Sequence, residues 1–304
     1  MNKHIITILL LLTSTYLFSQ QRNISLTTTP DTIVIDSIIV HNYNTHKSTT
    51  IIPNTKSIIF SSNTTNTTTQ KHTDNPPKQI SQTIIQAKQT DIVQLTAYSG
   101  KMSTTILLYP NNDTTINFYF EPCIDADGNH YTIMKIGKQL WMVENLKTTH
   151  YNNGDPIPNI TDNSQWDTTH QGAYRNYYNN THYVAKYGRL YNWYAVNDKR
   201  GIAPKGWYIP NMDEWNTMEH YLLPGHSFQG VGSRLKEWAL IPAGYCDPKG
   251  GFGMLGSEGF WWLIDEESQN KAWYVFLNYL QSSVSLTSAD KNHGFSVRCV
   301  KEIK

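Results

Sequence analysis

All nine tryptophans of this chain fall between Trp141 and Trp273, and none precedes them. A large aromatic side chain buries about 150–250 Å² and dominates the core it enters, so the N-terminal third must build its interior from something else. Between residues 22 and 121 that material is β-branched: roughly a fifth of the residues are Thr, and Ile is frequent. The break falls near Cys123. In a chain of 304 residues it predicts two domains, 22–121 and 123–304.

In the first, the runs 32–40, 57–60, 82–86, 91–98, 104–109 and 115–120 favour strand. Asn75-Pro76-Pro77, Ser99-Gly100 and the Pro110 to Asp113 stretch supply turns between them. Short strands at this spacing predict an all-β sandwich, with residues 61–77, rich in Thr and Asn, forming a low-complexity loop. The second domain opens with a hairpin signal: strand 131–136, turn Gly137-Lys138, strand 139–142. Residues 148–186 are polar and aromatic without periodicity, the pattern of a functional or packed irregular segment. A helix then announces itself. Asn211 stands at an N-cap position with Glu214 three residues on, the outline of a capping box, and Met212, Trp215, Met218 and Leu222 share one face at a 3.6-residue period. Further strands are expected at 259–262, 272–277, 283–286 and 295–300. The whole is an α+β arrangement.

Residues 1–20 read as an export signal: Lys3 and His4, then an apolar run over 5–12 that is too short to span a bilayer. No cysteine follows that run and no later segment is apolar enough to cross a membrane. The expected protein is therefore secreted or outer-surface, without a lipid anchor. Lys and Arg number 25 against 24 Asp and Glu, which gives little electrostatic support for binding nucleic acid. Three cysteines in an oxidising compartment permit at most one internal bridge and leave one thiol over.

Most chemical motifs dissolve on inspection. Gly251-Phe-Gly-Met-Leu-Gly256 matches G-x-G-x-x-G, but Trp261-Trp262 follows where a helix should open, so a glycine-rich β-turn is the better reading. Gly225 to Gly230 is one residue too long for a nucleophile elbow. Asp125 to Asn129 has its glycine fourth rather than sixth, which favours an Asx turn over a calcium loop. The eleven histidines show no zinc spacing. Asp265 and Glu266, beside Trp261-Trp262, are the weak candidates for calcium, with a solvated acidic loop as the plainer account. The aromatic side chains of the irregular segment are more suggestive. Trp166, Tyr174, Tyr177, Tyr178 and Tyr183 could form a platform for sugars, whose apolar faces stack on planar rings, or could simply fill the interior. Trp141, Trp193, Trp207, Trp215, Trp261 and Trp273, on regular elements, are expected in the core.

DADGNHYTIMKIGKQLWMVENL from Asp125, YGRLYNWYAVN from Tyr187, PKGWYIPNMDEWNTMEHYL from Pro204 and GFSVRCVK from Gly294 together resemble the Fibrobacter succinogenes major paralogous domain. That family is in turn similar to the C-type-lectin-like fold of formylglycine-generating enzymes, and residues 99–123 resemble the domain often found just ahead of it in exported proteins. The resemblance implies a non-catalytic binding protein for glycan or polysaccharide. A structural or adhesion module that binds surface protein, and a divergent enzyme, are the alternatives. Two departures stand out. Ala203 replaces the cysteine usual before Pro204, and Leu263-Ile264 replace two usual hydroxyls. Since the fold implies that the first and last strands of the domain pair, a substitute bridge from Cys123 to Cys299 is expected, with Cys246 free. No catalytic residue and no resident cofactor is expected.

Overall fold

The computed structural model describes residues 22–29, 33–51, 55–61, 81–222, 240–279 and 283–303. The export-signal reading of 1–20, the low-complexity reading of 62–77 and the Gly225 to Gly230 motif lie outside the described residues. Among the described residues the fold is mostly β, with several sheets and no barrel.

Eight strands come first: β1 (Arg22–Thr29), β2 (Ser37–Asn42), β3 (Lys47–Ile51), β4 (Thr55–Ser61), β5 (Ser81–Gln86), β6 (Val93–Ser99), β7 (Met102–Leu108) and β8 (Thr114–Tyr119). One sheet has the order β5-β4-β1-β8. The others join a larger sheet, and both contribute to one apolar cluster. In it Ile24, Ile58, Phe60, Ile116 and Phe118 from the first sheet meet Ile38, Val40, Val93 and Leu95 from the second. The period-2 pattern explains how: Ile38 and Val40 alternate with half-buried neighbours along β2, as do Val93, Leu95 and Ala97 along β6. Strands β1 and β3 were not among the sequence expectations, because the Thr- and Ser-rich runs that form them carry too few large apolar residues to mark them.

The C-terminal elements are β9 (Ile133–Ile136), β10 (Gln139–Met142), α1 (Asn163–Thr168), β11 (Tyr174–Arg175), α2 (Val184–Tyr187), β12 (Leu190–Tyr191), α3 (Trp193–Val196), α4 (Met212–Leu222), β13 (Tyr245–Cys246), β14 (Phe252–Gly253), β15 (Glu258–Glu266), β16 (Lys271–Asn278), β17 (Ser283–Asp290) and β18 (Val300–Glu302). The β9–β10 hairpin turns on Gly137, whose φ of 59° suits glycine. Strands β15, β16 and β17 form an antiparallel meander. The expected last strand 295–300 is regular only from Val300. Before it, the chain bridges in turn to Tyr191 at Phe295 and to Trp261 at Ser296, so no single partner strand runs alongside.

The capping box forms as read. Asn211 N–H donates to Glu214 Oε2 at 2.8 Å, and Glu214 N–H donates to Asn211 Oδ1 at 2.9 Å. Helix α4 buries Trp215 between Trp141, edge-on at 5.8 Å, and Trp261, stacked at 6.2 Å. Met218 is buried beside them; the Leu222 side chain lies outside the described residues. Of the six tryptophans expected in the core, Trp273 alone is only partly buried.

Buried apolar residues before and after Cys123 fall into different clusters, but Leu107 and Tyr119 pack against the later ones and the sheets do not divide there. The larger sheet has the order β18-β10-β9-β7-β6-β2-β3, because β9 pairs in parallel with β7 through Thr104–Ile133 and Thr105–Met134. Ser103 Oγ and Thr132 Oγ1 are hydrogen-bonded at 2.9 Å, Trp207 Nε1 donates to the Pro122 carbonyl, and Lys301 pairs with Glu121. The edge that β7 would otherwise expose is thereby covered.

Candidate functional site

The irregular segment divides its aromatic side chains sharply. Trp166 is fully buried and Tyr174 and Tyr177 nearly so; Tyr183 is half-buried, its ring edge-on to Tyr177 at 5.7 Å. Only Tyr178, 61 % exposed, stands in solvent. Filling the interior is therefore what Trp166, Tyr174 and Tyr177 do, and as members of a binding platform they are corrected. Each is large and apolar in a region with little regular structure, so the core takes them.

Backbone conformation puts Tyr178 outside. A 3₁₀ turn at Tyr177–Asn179 holds Tyr178 at φ 50° and Asn179 at φ 55°. A left-handed conformation costs a residue with a Cβ roughly 1–2 kcal/mol, and for a bulky side chain it is uncommon. A third left-handed residue, Met254 at φ 62°, lies on the facing loop and is 48 % exposed. Between them sits Phe252, 5.4 Å from the Tyr177 ring and 5.4 Å from the Tyr178 ring. Three of the four non-glycine left-handed residues described thus surround one small aromatic patch. The two loops are tied together: Leu255 N–H donates to the Tyr177 hydroxyl at 3.4 Å.

Beneath the patch lies Arg175, fully buried. Its guanidinium donates to the Ile160 and Asp162 carbonyls and to Asn163 Oδ1, and lies 5.0 Å over Trp166 and 5.9 Å from Phe252. A planar fork with five donors suits such a site as a lysine could not. It joins the start of α1 to the hairpin β13–β14. The Gly251 to Gly256 stretch is the short strand β14 running into a turn, with no helix, and Asp247 Oδ1 accepts from Gly251 N–H. What the sequence reading missed is that this turn carries Phe252 and Met254 to the patch. An aromatic residue between two glycines, with another glycine after the methionine, was the available signal.

The other candidates resolve structurally. Asp265 accepts from Met212 N–H at 2.8 Å and so helps cap α4, while Glu266 pairs with Lys291. Among the described residues no group of three or more His, Cys, Asp and Glu is placed to hold a metal ion. Asp125 forms the expected Asx turn, accepting from the N–H groups of Asp127 and Asn129. Cys123 and Cys299, expected to bridge, are free in the structure, as is Cys246. The first two do share one buried cluster. Burial, and for Cys123 the neighbouring Cys299, pushes both thiols up, which withholds the thiolate that disulfide chemistry requires.

The sequence model of the Fibrobacter succinogenes major domain matches residues 134–301, more than half of the chain. The chain belongs to that family. No curated protein and no solved structure matched. The matched span of the Fibrobacter succinogenes major domain begins inside β9 and ends inside β18, so it takes in the aromatic patch, Arg175 and helix α4.

Proposed function

We propose that the protein is an exported, non-catalytic glycan-binding protein acting at or outside the cell surface. Its architecture is a β-sandwich followed by a C-type-lectin-like domain, with Tyr178 and Phe252 as the sugar-contacting surface. The observation that carries the reading is the strained backbone. Left-handed residues that persist only because the surroundings over-determine them tend to cluster at binding sites, and here they hold a tyrosine ring out in water beside a second ring. Asn179, Asn180, Thr181 and His182 flank it, all exposed, and offer the hydrogen-bonding groups that sugar hydroxyls need. Neither the near-neutral charge of the chain nor this patch suits a strongly anionic partner.

One feature favours a second reading, adhesion to a surface protein. Met254 is exposed in the same patch, and methionine is adaptable at promiscuous protein interfaces. A glycan array and pull-down on insoluble polysaccharides, run with the native protein and with Tyr178→Ala, separates the two. Retention on a glycan that Tyr178→Ala abolishes supports sugar binding; no retention on any glycan sinks it in favour of protein adhesion.

A further inference from the structure

A cleft of about 520 Å³ opens in the same domain, within the range usual for small-ligand sites. Pro156 and Pro158 line it, as do His170 and Tyr194, whose rings stack at 5.6 Å and lie only 6° from parallel. Resting on the glycan reading above, we propose that this cleft is a second saccharide subsite, and that one extended oligosaccharide occupies it and the Tyr178 patch together.

Three observations carry this. His170 and Tyr194 contribute a stacked pair of rings to the lining beside two prolines, and planar rings are what a pyranose stacks on. The charges around the cleft cancel. Arg200 holds Asp198 through two hydrogen bonds, Nε to Oδ1 at 2.9 Å and Nη2 to Oδ2 at 2.8 Å, and reaches Asp155 at 3.1 Å. The lining carries Lys199, Arg200 and Asp198, and Asp155, outside the lining but paired with Arg200, supplies the second carboxylate, so a neutral polyhydroxylated ligand fits better than an ion. The polar rim is also fixed in advance. Arg200 lies 3.9 Å over the ring of buried Tyr151, and the Tyr151 hydroxyl sits beside Asp198 and Arg200 without an aligned hydrogen bond to either. Preorganised groups lose little entropy on binding.

The chain itself limits how far apart the two places lie. Gly172 lines the cleft and Tyr178 the patch, and the six Cα-to-Cα steps between them span at most about 20 Å. A few sugar units bridge that distance. Occupying both contacts with one ligand multiplies affinity through effective concentration.

The test uses the full chain and β-1,4-linked gluco-, xylo-, manno- and N-acetylglucosamine oligosaccharides of one to six units, with dissociation constants measured by calorimetry. Affinity is expected to rise with length, and Tyr194→Ala to weaken the longest bound oligosaccharide about tenfold while leaving short ones unchanged. Pro158→Ala/Asn197→Ala, two exposed cleft positions, repeats the measurement should Tyr194→Ala fail to fold. If oligosaccharides bind and respond to Tyr178→Ala but neither cleft variant changes the affinity for any length, the second subsite is overturned and the patch stands. Binding of none of the probes overturns both.

Discussion

Tyr178 and Trp166 belong to one irregular segment, and the same change at each should have opposite consequences. Trp166→Ala removes a fully buried ring and is expected to cost about 3–5 kcal/mol in urea unfolding. Tyr178→Ala should leave stability within about 0.5 kcal/mol, and Tyr178→Gly should raise it by up to about 1 kcal/mol, since glycine accepts φ 50° without strain. Glycan binding should be lost in both Tyr178 variants, the trade expected where strain serves a site. His293 provides a pH dependence. Burial favours its neutral ring and holds its pKa below the ordinary value, against the opposing hydrogen bond to the Asp290 carbonyl. As pH falls through about 6.5 the unfolded chain takes the proton first, so this contribution is present above that pH and is lost below it. The difference in melting temperature between pH 7.5 and pH 5.5 should shrink in His293→Gln; an unchanged difference would assign the acid sensitivity elsewhere.

At the level of elements, α4 shows what local sequence achieves. Its start is fixed by two reciprocal backbone-to-side-chain bonds, and Asn211→Ala should cost about 1 kcal/mol by thermal melting. A contact distant in sequence adds to it, since Asp265 accepts from Met212 N–H; its negative charge also suits the helix N-terminus. Asp265→Asn should weaken the cap less than Asn211→Ala does. The hairpin β9–β10 was equally legible, because a two-residue turn between apolar runs sets its own register. The platform hairpin β13–β14 was not. Two-residue strands carry no periodicity, and their pairing depends on Arg175 and Tyr177, which approach from another part of the chain.

For the whole molecule, the thiols report on assembly. Native protein should resist alkylation, as all three cysteines are buried, and unfolding in denaturant without reductant should release three reactive thiols. Recovery of one, with Cys123 and Cys299 unlabelled, would show that this pair is bridged after all. The sheet that runs from β18 to β3 illustrates the limit of composition. A change in residue usage marks where one core ends and another begins, because cores are built from contiguous kinds of side chain. It says nothing of backbone edges, which pair through N–H and C=O groups that every sequence carries. By itself the sequence determined the compositional break, the family, the capped helix and the strands with strong alternation, all matters of local pattern. Tertiary structure alone decided which aromatic side chains are core and which face water, since burial depends on what folds over a residue and on the sign of a single φ angle, neither of which nearby residues encode.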